Sequence, residues 1–252
     1  MRLHRTDAIV LHTFASRDRD KLVVFLTPLE GKVKGWAYGA RSLKSRYGAS
    51  LEPLAKVHIG YSERENEEVV RIESVDLLRS LFPAQQRLAS SLAATYIAET
   101  VDTFAQPHDP SEVIFRLLDR AAEALLSECD PLAIVTYVEV WVLRIGGIFP
   151  SMRTCGFCQE PLDLPLRYEA TASAFACKAC ADGKALLLAN DVADEISAIL
   201  RLPIDEFATR PHRLETLSEL RSFVRDLRRS FLGHELKSHD LLQSVIARGE
   251  SR

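Results

Sequence analysis

Gly31-Lys-Val-Lys-Gly-Trp-Ala-Tyr-Gly-Ala-Arg-Ser-Leu-Lys-Ser-Arg-Tyr-Gly48 joins a strand-like half to a basic loop. Its first half alternates. Lys32, Lys34, Trp36 and Tyr38 fall on one side of an extended chain and Val33, Gly35 and Ala37 on the other, because successive side chains of a strand point to opposite faces. A strand over 32–40 is therefore expected, with Glu30-Gly31-Lys32 as the turn that pairs it with the apolar run at 21–27. Working outward, 8–13, 54–61 and 68–77 have the same Val/Ile/Leu-rich composition between polar or Gly/Pro breaks. Five such strands predict a small closed barrel, with Gly39, Gly48 and Gly60 as places where strands bend or bulge. Periodicity alone leaves an SH3-like barrel open beside the OB topology.

From Pro83 the period changes from two to that of a helix. An Ala-rich helix is expected over 84–104, ended by Pro107-His108-Asp109-Pro110. Ser111 then stands where it would cap a helix over 112–126, and Asp130-Pro131 does the same for one over 132–145. Ile134, Tyr137, Val138, Trp141, Val142 and Ile145 form the core stripe of that third helix. Further helices are expected over 191–200, 214–232 and 239–247. The reading is α+β: a barrel domain at 1–80 and a helical domain at 81–252.

Inserted among the helices are Cys155/Cys158 and Cys177/Cys180, two Cys-x-x-Cys pairs with 18 residues between the inner members. That is zinc-ribbon spacing, and a hairpin over 153–182 would bring four thiolates to one tetrahedral centre. A thioredoxin-type dithiol needs only one pair, on a βαβ pattern that this stretch lacks. With four protein ligands no position is left for water or substrate, so one structural Zn2+ is expected, and a zinc hydrolase or deaminase is not. Cys129 reads as a buried thiol.

The formal net charge is only -3, but it is unevenly spread. Residues 1–50 hold ten Lys/Arg against four Asp/Glu, whereas 81–200 hold eight against sixteen, so a polyanion would be steered to the amino-terminal end. Within 31–50, Lys32, Lys34, Arg41, Lys44 and Arg46 occur with no acid. Basic and aromatic side chains on one barrel face suit single-stranded nucleic acid, cations taking phosphates and rings taking bases. In the alternative, Trp36 and Tyr38 fill the core and only the lysines meet solvent. Arg41, Lys44 and Arg46, among Ser and Gly, sit in a loop too polar for a core. Arg221, Arg225 and Arg228 share a helix face, which could meet an acidic partner segment or pair internally with Glu215, Glu219 and Asp226.

No Gly-x-Gly-x-x-Gly, Walker loop, Gly-x-Ser-x-Gly or His-Glu-x-x-His is present, and the seven histidines are scattered, so a binding protein rather than an enzyme is expected. No run approaches a membrane span and the first residues lack a signal-peptide core, which predicts a cytoplasmic protein.

Several of these residues carry a resemblance. Asp7-Ala-Ile-Val-Leu11, Arg17-Asp-Arg-Asp-Lys21, Phe25-Leu-Thr27, Gly31-Lys32 and above all Gly39-Ala-Arg-Ser-Leu-Lys-Ser-Arg46 resemble the amino-terminal domain of the RecO recombination mediator family. Residues 139–150, leading into Cys155, and Leu232-Gly-His-Glu-Leu-Lys-Ser238 resemble its later motifs, so the likeness spans nearly the whole chain. It implies an OB-fold barrel, then a helical domain with the zinc hairpin. By the same resemblance the protein would be nucleoid-associated, bind single- and double-stranded DNA and anneal complementary strands. It would also work with RecR to help RecA replace single-strand-binding protein, whose acidic carboxy-terminal tail is the expected partner of Arg221, Arg225 and Arg228. Two departures stand out: 12–16 lacks the family's usual Tyr-Gly-Glu, and Trp36-Ala-Tyr38 is more aromatic than its counterpart. The competing reading is an OB-fold RNA-binding factor with a structural zinc ribbon.

Overall fold

A computed structural model describes residues 2–16, 19–42, 45, 47–64, 67–127 and 129–247. Five strands, β1 (Arg2–Ser16), β2 (Asp20–Thr27), β3 (Gly31–Ala37), β4 (Lys56–Glu63) and β5 (Val69–Arg79), close into a barrel in the order β1-β2-β3-β5-β4. That order is the OB topology and resolves the choice that periodicity left open. The carboxy-terminal half of β1 pairs with β2, from Ile9↔Leu26 to Ser16↔Asp20. Its amino-terminal half pairs with β4, from Arg2↔Glu63 to Ile9↔Lys56, which seals the barrel. A short parallel contact, Lys34↔Val69 to Trp36↔Arg71, joins β3 to β5. Inside lie Val10, Val23, Phe25, Val33, Ile59, Tyr61 and Ile72.

Gly31 makes the β2–β3 hairpin possible. Its φ is +62°, a left-handed value, and a Cβ there would lie 2.3 Å from the Asp109 carbonyl oxygen. The close approach is used: Lys32 N–H donates to Gln106 O at 3.1 Å and Ser111 N–H to Pro28 O at 3.1 Å, so the segment after the first long helix is bound to this turn.

The helices follow the sequence pattern closely. They are α1 (Phe82–Gln85), α2 (Leu88–Phe104), α3 (Glu112–Leu126) and α4 (Pro131–Ile145), then α5 (Asn190–Ile199), α6 (Ile204–Thr209), α7 (Leu214–Leu232) and α8 (His239–Ala247). Asp130 caps α4 as expected, accepting the Leu132 N–H at 2.9 Å. Ser111 does not cap α3. Its backbone (φ -126°, ψ 43°) departs from the extended geometry of a capping residue, and its hydroxyl donates instead to Asp109 O at 3.0 Å.

Two compact units result, one of 1–134 with 236–252 and the other of 135–235. In the first, α2 lies against β1, and α3 against β1 and β2, so Val24 and Leu26 are buried on the face opposite the barrel core. The chain returns at its end to place α8 on α2. Glu99 makes that join: its carboxylate accepts the N–H groups of Lys237 and Ser238, each at 2.8 Å, and the Ser238 hydroxyl. Partial burial works to raise the Glu99 pKa, but these hydrogen bonds outweigh it and hold the carboxyl below its ordinary value.

In the second unit a three-stranded sheet, β7-β6-β8, is formed by β6 (Leu166–Glu169), β7 (Ala174–Ala176) and β8 (Leu186–Leu188). Phe223 of α7 is its anchor, with ring centroids 5.1 Å from Tyr168, 5.9 Å from Phe175 and 6.1 Å from Phe149. The α7 arginines share a face as their spacing predicted, but it is turned inward. Arg228 is 0% exposed and Arg221 7%. Arg228 is held between Glu139 and Glu235, and Arg225 Nε lies 2.7 Å from the same Glu235. These partners of Arg225 and Arg228 are not the neighbouring Glu215, Glu219 and Asp226, and with Arg221 and Arg228 buried only Arg225 keeps an exposed side chain that could meet an acidic partner. A guanidinium already desolvated between two carboxylates has nothing left to offer a third.

Two consequences can be measured. An Arg228→Met change strands Glu139 in the interior and should cost about 3–5 kcal/mol, read from the urea midpoint, while Glu139→Gln added to it should recover more than half. Glu99, a carboxyl with a depressed folded pKa, contributes stability above its unfolded pKa of about 4.3 that is lost as pH falls through the lower folded value. Amide protection factors in α8, corrected for the intrinsic exchange rate at each pH, should therefore fall on acidification through that window, and Glu99→Gln should remove the dependence.

Candidate nucleic-acid interface and metal centre

Strand β3 positions the first site. Val33 and Ala37 are buried, and a Cβ on Gly35 would meet Ile72 Cγ1 at 2.8 Å, so this side of the strand packs inward. Lys34 and Tyr38 are exposed and Trp36 half-buried, which places both rings on the outer face and rules out their filling the core. Lys32 faces outward too, but α2 covers it: its Nζ is 3.1 Å from Asp102 Oδ1 and also donates to the Asp102 carbonyl oxygen. His12 approaches the same carboxylate at 3.8 Å. Lys32 is thus a tether between barrel and helix, and the open part of β3 starts at Lys34.

A residue that sequence reasoning missed completes this face. Arg71 is the β5 partner of Trp36, and its Cζ lies 5.4 Å from the Tyr38 ring centroid. Its Nε is 3.4 Å from Glu73 Oε1, an oxygen that also accepts the Ser62 hydroxyl at 2.9 Å. Alternation along 68–77 could have turned Arg71 outward. Only the parallel pairing of two strands far apart in sequence brings it to the rings.

The loop after β3 is anchored at its start. Gly39, at φ +71°, donates its N–H to Asp20 Oδ1 at 2.9 Å, and its carbonyl accepts the Ser42 hydroxyl at 2.9 Å. Arg41 is exposed and its N–H donates to Arg19 O at 2.9 Å. Lys44 and Arg46, and the Arg17-Asp18 part of the preceding turn, lie outside the described residues. Tyr47 returns the chain to the barrel core at 2% exposure.

The cysteines form the second site. All four sulfur atoms lie within 4.8 Å of one another, and Cys158 Sγ is 3.7 Å from Cys177 Sγ. Ligands about 2.3 Å from a tetrahedral centre stand about 3.8 Å apart, so the quartet fits a metal ion with little adjustment. Each pair sits on a tight turn: Phe157 N–H points at Cys155 Sγ (3.4 Å), Gln159 N–H donates to Cys155 O (3.0 Å), and Cys180 N–H to Cys177 O (3.1 Å). Gly156 N–H donates to Phe175 O at 2.9 Å, tying the first turn to β7. Burial opposes ionisation of Cys155, yet backbone N–H groups outweigh it and bring its thiol down to about 6. Hydrogen bonds to Cys158 and Cys177, then burial, push Cys180 up to about 12. The Cys155 thiolate forms readily while Cys158 and Cys180 resist, which is the behaviour of a group that needs a cation before all of its thiols ionise. With every ligand a thiolate, such a metal would have no open position for substrate.

Comparison with known proteins shows the family. The family model "Recombination protein O N terminal" matches residues 1–81 and "Recombination protein O C terminal" matches 85–240. The DNA repair protein RecO of Koribacter versatilis is 30% identical over 249 residues, covering 96% of this chain and 99% of its own length. That of Anaeromyxobacter sp. (strain K) is 30% identical over 197 residues, covering 77% and 76%, and that of Myxococcus xanthus 26% over 248, covering 97% and 99%. With the barrel, the helices and the cysteine hairpin in this order, the chain belongs to the recombination protein O family.

Proposed function

We propose that the chain is a recombination mediator that binds single- and double-stranded DNA, anneals complementary strands, and with RecR helps RecA load onto DNA coated by single-strand-binding protein. Family membership supports a role in DNA repair and recombination. The observation that carries the finer reading is the outer face of an OB barrel on which Lys34, Trp36, Tyr38, Arg71 and Arg41 are open to solvent in whole or part. Lys34 and Arg41 there neutralise phosphates, and neutralising two strands at once lowers the repulsion that keeps them apart, so annealing needs no hydrolysis. Lys44 and Arg46 belong to the same proposal through their place in the loop. On this reading 1–80 is the DNA-binding domain of a cytoplasmic protein, and 81–252 carries the hairpin with one structural Zn2+ at Cys155, Cys158, Cys177 and Cys180. No helix among the described residues is long and apolar enough to cross a membrane.

The acidic tail of single-strand-binding protein has a better landing place than the buried α7 arginines. A groove of about 1000 Å3 in the second unit has Arg144, Arg153 and Arg201 over a floor that includes Phe149, Leu162 and Leu200. None of the three arginines is ion-paired among the described residues, and all are exposed. Three arginines against a single acid in the same lining, Asp194, match an acidic tail.

Lys34→Glu with Arg41→Glu should lower affinity for a single-stranded oligonucleotide at least tenfold and reduce the slope of log K against log salt by about 1.4, two contacts at roughly 0.7 each. Unchanged affinity and slope would remove these residues from the interface, and preference for structured RNA without DNA annealing would favour the RNA-factor reading. Stripping zinc with a chelator should lower the melting temperature by several degrees, at about 2–4 °C per kcal/mol. Oligonucleotide affinity should change less than twofold, with metal content followed by atomic spectroscopy; normal stability with lost binding would make the hairpin a DNA contact.

A further inference from the structure

We propose that the Trp36–Tyr38–Arg71 cluster makes the barrel face selective for unpaired bases, with the two rings as the stacking surface and Arg71 as the residue that positions Tyr38. The inference rests on the reading of this face as a DNA-binding site and adds to it the form of DNA that it prefers.

Three observations carry it. Tyr38 is 45% exposed, which leaves ring surface open to solvent, and the Arg71 guanidinium lies over it at 5.4 Å. Trp36 stands beside Arg71 in the parallel β3–β5 register, so two aromatic side chains from the end of β3 and one guanidinium from β5 are gathered on one face. Arg71 is also drawn back by Glu73 at 3.4 Å. That carboxylate would repel a phosphate brought onto it. Arg71 is thus poorly suited to be a phosphate contact and well suited to ordering a ring, since a cation above an aromatic face holds it by the ring's quadrupole. The phosphate contacts fall to Lys34 and Arg41, which flank the rings along the chain.

The division of labour creates the selectivity. Phosphates are present on both single strands and duplexes, so Lys34 and Arg41 attract both. Base faces are available only where the strand is unpaired, because in a duplex they are stacked on one another. Each base seated on a ring contributes about 5- to 150-fold in affinity, and a duplex collects none of it. An ordered ring loses less freedom when a base arrives, so Arg71 acts through Tyr38.

The test compares an oligo-dT strand with a duplex of the same length at one salt concentration, using the intact protein. Tyr38→Ala should lower single-strand affinity about 5-fold or more and duplex affinity at most about twofold. Arg71→Ala should show the same asymmetry to a smaller degree, and Arg71→Lys, which keeps a cation over the ring, should restore part of it. Binding of the single strand should quench tryptophan fluorescence, and the quench should vanish in Trp36→Phe, a change conservative enough to keep the barrel folded by circular dichroism. Equal losses on both DNA forms would overturn the inference, leaving a general phosphate-binding face. So would loss with the Lys34 and Arg41 reversals but none with the ring variants, while the DNA-binding reading stood. If the wild-type protein bound neither DNA form, both would fail together.

Discussion

Barrel closure through β1 is the constraint on which the rest depends. A single strand of 15 residues, Arg2–Ser16, satisfies β4 along its first half and β2 along its second, so no edge of the sheet is left to seek another chain. One strand can serve two partners only by bending, and the register shift between Val10 and His12 falls where the second pairing is under way. Closing the barrel also fixes which of its outer surfaces is free. Helices α2 and α3 lie on the β1–β2 side, and Lys32 bonds to Asp102 at the boundary of the covered region. What remains open is the β3–β5 side, where the rings and Arg71 stand.

The second unit is organised around a buried charge rather than an apolar layer alone. Arg228, Glu139 and Glu235 bring residues from α4, α7 and the turn after α7 to one point. Such a network adds little net stability compared with apolar packing, but it is intolerant of alternatives because any shift leaves a charge unpaired in the interior. The hairpin that carries the cysteines packs on the middle of α7 through Phe223, five positions before Arg228. A metal at the cysteines would therefore rigidify a sheet whose own strands are only three or four residues long.

Local order was legible in the sequence, and non-local order was not. The extents of α3, α7 and α8 follow from breakers and the 3.6-residue period, and the cysteine spacing fixed a quartet because both pairs are local turns. Alternation put Lys34, Trp36 and Tyr38 on one face. It could not say that α2 would cover Lys32, or that a parallel pairing would bring Arg71 to Tyr38, since both depend on segments dozens of residues away. Arg221, Arg225 and Arg228 show the same limit from the other side: their common face was readable, but its direction is set by Glu139, 89 positions before Arg228. The short α6 and β8 carry too few residues for any period to register, and they are held by their neighbours.

The way the chain returns at its end bears on how it is made. Unit 1 includes both 1–134 and 236–252, and the donors that Glu99 accepts come from Lys237 and Ser238. As the polypeptide leaves the ribosome, the barrel and α2 can assemble while the Glu99 carboxylate still faces water. Residues 135–235 must all be synthesised before α8 arrives to take its place. The last helix of the first unit is thus a completion mark: a chain cut short within 135–235 would display an unfinished α2 surface, even with its barrel intact.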